Sequence, residues 1–242
     1  MPKIFYPSTK ALQTMRSKAV KARWLYEKHA NVESGCVIRG WRKSPINPME
    51  LLSVFNRLSL KQPYVLRAYV FSEGENGNGI IWAMPKNAFF PEADECEKLE
   101  EYFLSPPKPD KAVQFENILI GNGRLWSYLE ASLFIREARE FGAQWHGCSW
   151  SDVGILDQDP FIGGDDLETG FQEKDWAWKD SKPKDWRAKI IVDTNEIRVC
   201  FYTYDRVGTE TINFIEDVYV KGTYSPKVLK TTIGRGTGGI VY

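Results

Sequence analysis

The chain has 242 residues, 43% apolar and 26% charged, and its 32 Lys or Arg balance 32 Asp or Glu. That length and composition exclude a disordered chain and a mini-protein dependent on staples, because a core of ordinary size can be buried. No apolar run reaches membrane length and none near Met1 has the length of a signal peptide, so the expectation is a cytoplasmic protein with no membrane partner.

Ser8 or Thr9 caps a first helix running to about Ala30, with Leu12, Met15, Ala19, Ala22 and Tyr26 forming one apolar stripe. Lys10, Lys21 and Lys28 project on the opposite side and give that helix a basic outer face. Cys36 to Trp41 reads as a short strand, and Asn47-Pro48 opens a second helix that ends near Ser59. Tyr64–Phe71 and Gly79–Met84 form a hairpin around a Gly- and Asn-rich turn. Glu92 to Leu104 reads as an acidic surface helix. Ser105-Pro106-Pro107-Lys108-Pro109 then breaks regular structure, so 105–110 is the candidate sub-boundary in what is otherwise a single domain over 1–242.

Val113 to Ile120 reads as a strand, Leu125 to Phe141 as a helix closed by Gly142, and Ser149 to Leu156 as a further strand. Asp157 to Lys184 has no stable period and is expected to be a long loop. Lys189–Val192, Ile197–Tyr204 and Thr211–Val220 alternate as antiparallel strands do. The expected fold class is therefore α+β, with a mixed or mainly antiparallel sheet, helices packed on it and a β-rich C-terminal part.

Charge is distributed unevenly. Met1 to Lys43 carries ten Lys or Arg against two Glu, whereas Glu92–Glu101 and Asp152–Asp175 are acidic. Nucleic-acid binding through Lys10, Arg16, Lys18, Lys21, Arg23 and Lys28 is one reading of this asymmetry. Only two histidines exist. His29 falls in the last turn of the first helix, where the dipole favours an imidazolium. His146, with Cys148 and Asp152, supplies a base, a thiol and a carboxylate at a helix-to-strand junction, although triads are normally assembled from distant segments. Asp157, Asp159, Asp165 and Glu168 match parts of a calcium-loop spacing, but Ile162 stands where that loop requires glycine; a looser carboxylate metal site for a hydrolase or nuclease remains as a rival reading.

The four cysteines, Cys36, Cys96, Cys148 and Cys200, have no metal-knuckle or redox spacing and read as buried thiols. Gly121-Asn-Gly123 and Gly234-Arg-Gly-Thr-Gly-Gly239 each lack part of a phosphate-loop motif. No cofactor is expected. The least ordinary feature is the crowding of Trp126, Trp145, Trp150, Trp176, Trp178 and Trp186 into one third of the chain. Trp126 lies in an apolar helix and reads as core, while Trp145, Trp150, Trp176, Trp178 and Trp186 are candidates for a binding surface. The leading expectation is a non-catalytic intracellular binding protein that contacts a protein partner through this Trp-rich acidic loop.

Overall fold

The computed structural model describes residues 2–30, 40–73, 76–98, 105–144, 149–162 and 173–239, with side chains at 24–30 and 98 outside the description. In chain order, β1 (Lys3–Phe5) precedes α1 (Thr9–Ala30), β2 (Gly40–Lys43) and α2 (Met49–Ser53). β3 (Leu58–Leu60) leads into the hairpin of β4 (Tyr64–Glu73) and β5 (Asn76–Pro85). Four short strands follow: β6 (Glu97–Lys98), β7 (Pro107–Lys108), β8 (Val113–Gln114) and β9 (Leu119–Gly121). After α3 (Leu125–Arg139) come β10 (Gly154–Leu156), β11 (Ala177–Trp178), β12 (Lys189–Val192), β13 (Glu196–Asp205), β14 (Thr211–Val220) and β15 (Lys227–Arg235). The fold is α+β, with antiparallel pairing between all these strands and a β-rich C-terminal part.

Two compact units divide the chain: Met1–Leu12 with Ser151–Lys221 and Pro226–Tyr242, and Gln13–Trp150 with Gly222–Ser225. The first unit is built on a sheet ordered β1-β12-β13-β14-β15-β11, with β10 pairing β13 beside β12. Alternation sorts its residues. Val199, Phe201 and Thr203 of β13 lie opposite Asp217, Ile215 and Asn213 of β14 on one face, and all six are buried. Tyr202 and Tyr204, opposite Phe214 and Ile212, point to the other face.

Cys200 lies on that second face and is 1% exposed; burial first, and then the Glu216 charge, push its thiol up to about 12. The folded chain therefore keeps a proton that the unfolded chain releases near 8.5, so the stability Cys200 contributes is intact below that pH and is lost as pH rises towards about 12. Cys200→Ala is expected to lose less stability between pH 9 and 11 than wild type, by about 2 kcal/mol at most, in urea unfolding at the two pH values. Equal alkaline slopes for the two proteins would contradict this.

The second unit packs around α3, in which every residue from Ser127 to Ile135 is buried. Phe134 meets Phe55 and Phe115 edge-on at 5.5 Å each. Tyr128 stacks on Tyr224 at 4.7 Å, and the Tyr224 hydroxyl lies 2.7 Å from Ser127 Oγ. Gly142, at φ +76°, closes the helix as its position in the sequence requires. A separate sheet, β2-β4-β5-β8, carries the long hairpin.

Several elements differ from expectation. The second helix stops at Ser53, because Leu58 and Leu60 are taken into β3 opposite β9. Val113–Ile120 is interrupted by a 3-10 turn over Phe115–Ile118 that buries Phe115 and Ile118. Of the helix expected over Glu92–Leu104, the described part is a 3-10 turn, Ala93–Glu95, closed by the Glu92 N–H donating to Glu95 at 2.7 Å, followed by β6; 99–104 lie outside the described residues. Pro107–Lys108 is a strand paired with β6 rather than a break. Trp126 is half-buried under the Arg57 guanidinium and does not sit in the core.

The buried face of α1 is also rotated from the expected one. Leu12, Ala19 and Arg23 are buried and Arg16 is 17% exposed, so arginines rather than Met15 and Ala22 complete that face. Lys10, Lys18 and Lys21 are exposed. Lys28 and His29 have side chains outside the description.

Candidate functional site

In the first unit, the segment after β10 folds back over the aromatic face of the sheet. Asp159 organises its start: its Oδ1 accepts the Phe161 N–H at 3.0 Å, and its Oδ2 pairs with Lys182 at 2.9 Å. Lys182 also reaches Glu173 at 2.7 Å, and these hydrogen bonds, Glu173 first and then Asp159, hold its pKa above the ordinary lysine value. One ammonium thus ties 159–162 to 173.

β11 then pairs with Gly234 and Arg235, which brings the tryptophans onto the sheet. Trp176 and Trp186 are buried with Tyr204 and Ile212, and Leu156, Phe161, Trp178, Tyr202 and Ile233 pack around them. Trp176 stacks on Trp178 at 6.2 Å, and Trp186 contacts Trp178 at 6.3 Å and Tyr202 at 5.1 Å. The glycines at 234 and 236 belong to this cluster. A Cβ on Gly234 would stand 2.9 Å from the Trp178 ring, and one on Gly236 would stand 2.9 Å from Trp176. Close approach of ring to backbone accounts for Gly234 and Gly236.

Beside this cluster opens a cleft of about 500 Å³ lined by Asp157, Asp159, Ile162, Lys184, Trp186 and Arg187, among others. Ile162 is 73% exposed at its rim. Asp185 and Arg187 form a two-point pair, Nε to Oδ1 at 2.8 Å and Nη2 to Oδ2 at 3.1 Å, and chiefly that hydrogen bonding lowers Asp185 to about 2. Arg187 also stacks on Tyr6 at 4.1 Å. Trp186 is 4% exposed and its indole N–H has no acceptor among the described residues. A buried donor left unpaired costs about 1–3 kcal/mol, so it stands out in an otherwise satisfied cluster.

The remaining candidates fall elsewhere. Trp150 is buried in the second unit, where its indole N–H donates to Glu137 at 2.8 Å and the Arg16 guanidinium lies 4.5 Å from its ring. Trp145, His146, Cys148, Asp165 and Glu168 lie outside the described residues. Asp152 is half-buried. Among the described residues, no three His, Cys, Asp or Glu side chains converge as metal ligands would, and the ammonium of Lys182 already occupies Asp159.

Sequence reading missed the buried charge cluster of the second unit. Arg23 lies 3.2 Å from Glu137 and 2.7 Å from Glu140, and Glu140 also accepts the backbone N–H groups of Ser149 and Trp150. Glu137 is fully buried; desolvation raises its pKa more than Arg23 and the Trp150 N–H lower it. The available signal was the seven-residue spacing of Arg16 and Arg23 beside the (i, i+3) pair Glu137 and Glu140. Arg16 and Arg23 are therefore turned inward, which removes two of the cations expected for a nucleic-acid surface.

A second cleft, of about 400 Å³, lies beside Phe89, Glu95, Cys96 and Lys111. Cys96 Sγ is 3.2 Å from Tyr69 Oη, and desolvation raises both groups' pKa values, which keeps the thiol protonated and a poor nucleophile.

No family model, no curated protein and no solved structure matches the chain. No helix among the described residues is long and apolar enough to cross a membrane.

Proposed function

We propose that the chain is a non-catalytic binding protein whose partner-facing site is the cleft beside Trp186 in the first unit. The observation that carries this reading is the unsatisfied indole N–H of Trp186, buried next to an open cleft whose rim is apolar at Ile162 and charged at Lys184 and Arg187. A peptide carbonyl entering the cleft would supply the missing acceptor after a small shift of the rim, and an apolar side chain of the partner would cover Ile162. The Asp159–Lys182 and Asp185–Arg187 pairs hold the rim in shape beforehand, so little ordering cost falls on binding. Engagement of the acids with these cations favours recognition over carboxylate–metal chemistry. A cytoplasmic location belongs to the same proposal, and the free thiols of Cys96 and Cys200 fit a reducing compartment.

Selection of binders from a displayed library of random 12-residue peptides tests this. Peptides recovered on the wild-type chain are expected to lose at least tenfold in affinity for an Ile162→Asp, Lys184→Glu double variant, measured by calorimetry. Undiminished binding to that variant, or no recovered binder at all, would overturn the reading.

A further inference from the structure

The outer edge of β15 is occupied over part of its length by the chain itself. β11 pairs with Gly234 and Arg235, and the Lys179 N–H donates to the Ile233 carbonyl at 2.9 Å. There this covering ends. Among the described residues no strand pairs with the outer edge from Lys227 to Thr232, a length of about 20 Å at the usual rise of a strand. Lys227, Val228, Leu229 and Lys230 are exposed on four successive residues. Because alternate side chains point to opposite faces, such a run means that both faces are open at this end of the strand.

We infer that this free edge accepts an extended acidic segment of a partner protein, added antiparallel to β15 in line with β11. This goes beyond the cleft and does not depend on it. Strand addition takes its affinity from backbone hydrogen bonds and its selectivity from alternating side chains. Here each face offers one lysine and one apolar side chain: Lys227 and Leu229 on one, Val228 and Lys230 on the other. β15 itself contains Lys227, Lys230 and Arg235 and no acid. Lysines on edge strands ordinarily keep sheets from pairing edge to edge, and that is the bland account of these two. The same charges discriminate between occupants, however. A second copy laid antiparallel over Lys227–Lys230 in full register would set Lys227 against Lys230, which is unfavourable across a strand pair, whereas a strand with two glutamates three residues apart and apolar residues between them sets one acid opposite each lysine, one on each face. Nucleic acid could answer the charge but has no backbone amides to extend the ladder.

The test uses the full chain and three synthetic hexapeptides with blocked ends: Val-Glu-Val-Val-Glu-Val, the same peptide with lysine in place of glutamate, and the Glu peptide with two of its valines replaced by proline. At saturation the Glu–Val peptide is expected to slow hydrogen exchange of the 227–232 amides at least tenfold. The double variant Lys227→Glu, Lys230→Glu is expected to lose at least tenfold in affinity for that peptide and to gain binding of the Lys–Val peptide, and Ile162→Asp to change neither result. The inference is overturned if the proline-bearing peptide binds as well as its parent, since charge alone would then suffice. It also fails if protection appears elsewhere than β15, if a single-stranded oligonucleotide displaces the peptide without any amide protection having been seen, or if sedimentation shows the wild-type chain pairing with itself through this edge.

Discussion

Glu140→Ala is expected to destabilise the second unit by about 3–5 kcal/mol, the usual cost of removing one partner from a buried ion pair. Glu140 is 3% exposed, and its carboxylate receives Arg23 Nη1 at 2.7 Å and two backbone N–H groups. Alanine would remove the Glu140 carboxylate from Arg23, itself 4% exposed and 3.2 Å from Glu137, and would take from the turn at 149–150 an acceptor of two backbone N–H groups. Urea unfolding of the variant measures the loss. Arg23→Met combined with Glu140→Leu is expected to cost clearly less than the two single changes added together, because the loss of the Arg23–Glu140 contact is then counted once, while Glu137 loses Arg23 in both the single and the double variant and keeps Arg16 at 3.9 Å. Simple additivity of the two would show that the pair is not energetically coupled, contrary to its geometry.

Trp176→Ala is expected to cost about 3–5 kcal/mol, the range for deleting a large buried aromatic. Its ring lies against Phe161, Trp178 and Tyr204 and above the bare backbone at Gly236, so the space it leaves is enclosed on several sides. Trp186→Phe offers the informative contrast. It removes some apolar contact but also the indole N–H that has no acceptor among the described residues, and the two effects oppose each other, leaving a net change within about 1 kcal/mol. Thermal unfolding of both variants checks these values. If the N–H serves a bound peptide, Trp186→Phe keeps its stability yet binds a selected peptide about three- to tenfold more weakly, the worth of one hydrogen bond. A phenylalanine variant that is both stable and fully competent to bind would show that the orphan donor has no part in recognition.

The aromatic cluster also shows where the sequence stopped being legible. Trp176, Trp178 and Trp186 stand among Lys and Asp residues, and no period in their own segment indicates burial. What buries them is supplied by Tyr204 and Ile212 on neighbouring strands and by the glycines at 234 and 236. The charge cluster behaves in the same way. Arg16 and Arg23 look like solvent-facing cations on an amphipathic helix until Glu137 and Glu140, more than a hundred residues later, are placed against them.

Elements with a strong internal period needed no such help. α1, the β4–β5 hairpin, α3 and the strands β12, β13 and β14 were expected from alternation, turn residues and capping alone, and each is present within a few residues of its expected bounds. β15 was missed because Lys-Val-Leu-Lys-Thr-Thr has no clean alternation; its strand character is imposed by the ladder with β14. β3 was read as the tail of a helix because Leu51, Leu52, Val54, Phe55 and Leu58 carry a helical spacing, and pairing with β9 outweighed it. By itself the sequence determined the class of fold and those elements whose burial pattern is written in neighbouring residues. Only the tertiary structure decided which tryptophans are packed, which arginines are paired and which strand edge is open, because each depends on surfaces brought together from distant parts of the chain, and no local period records that complementarity.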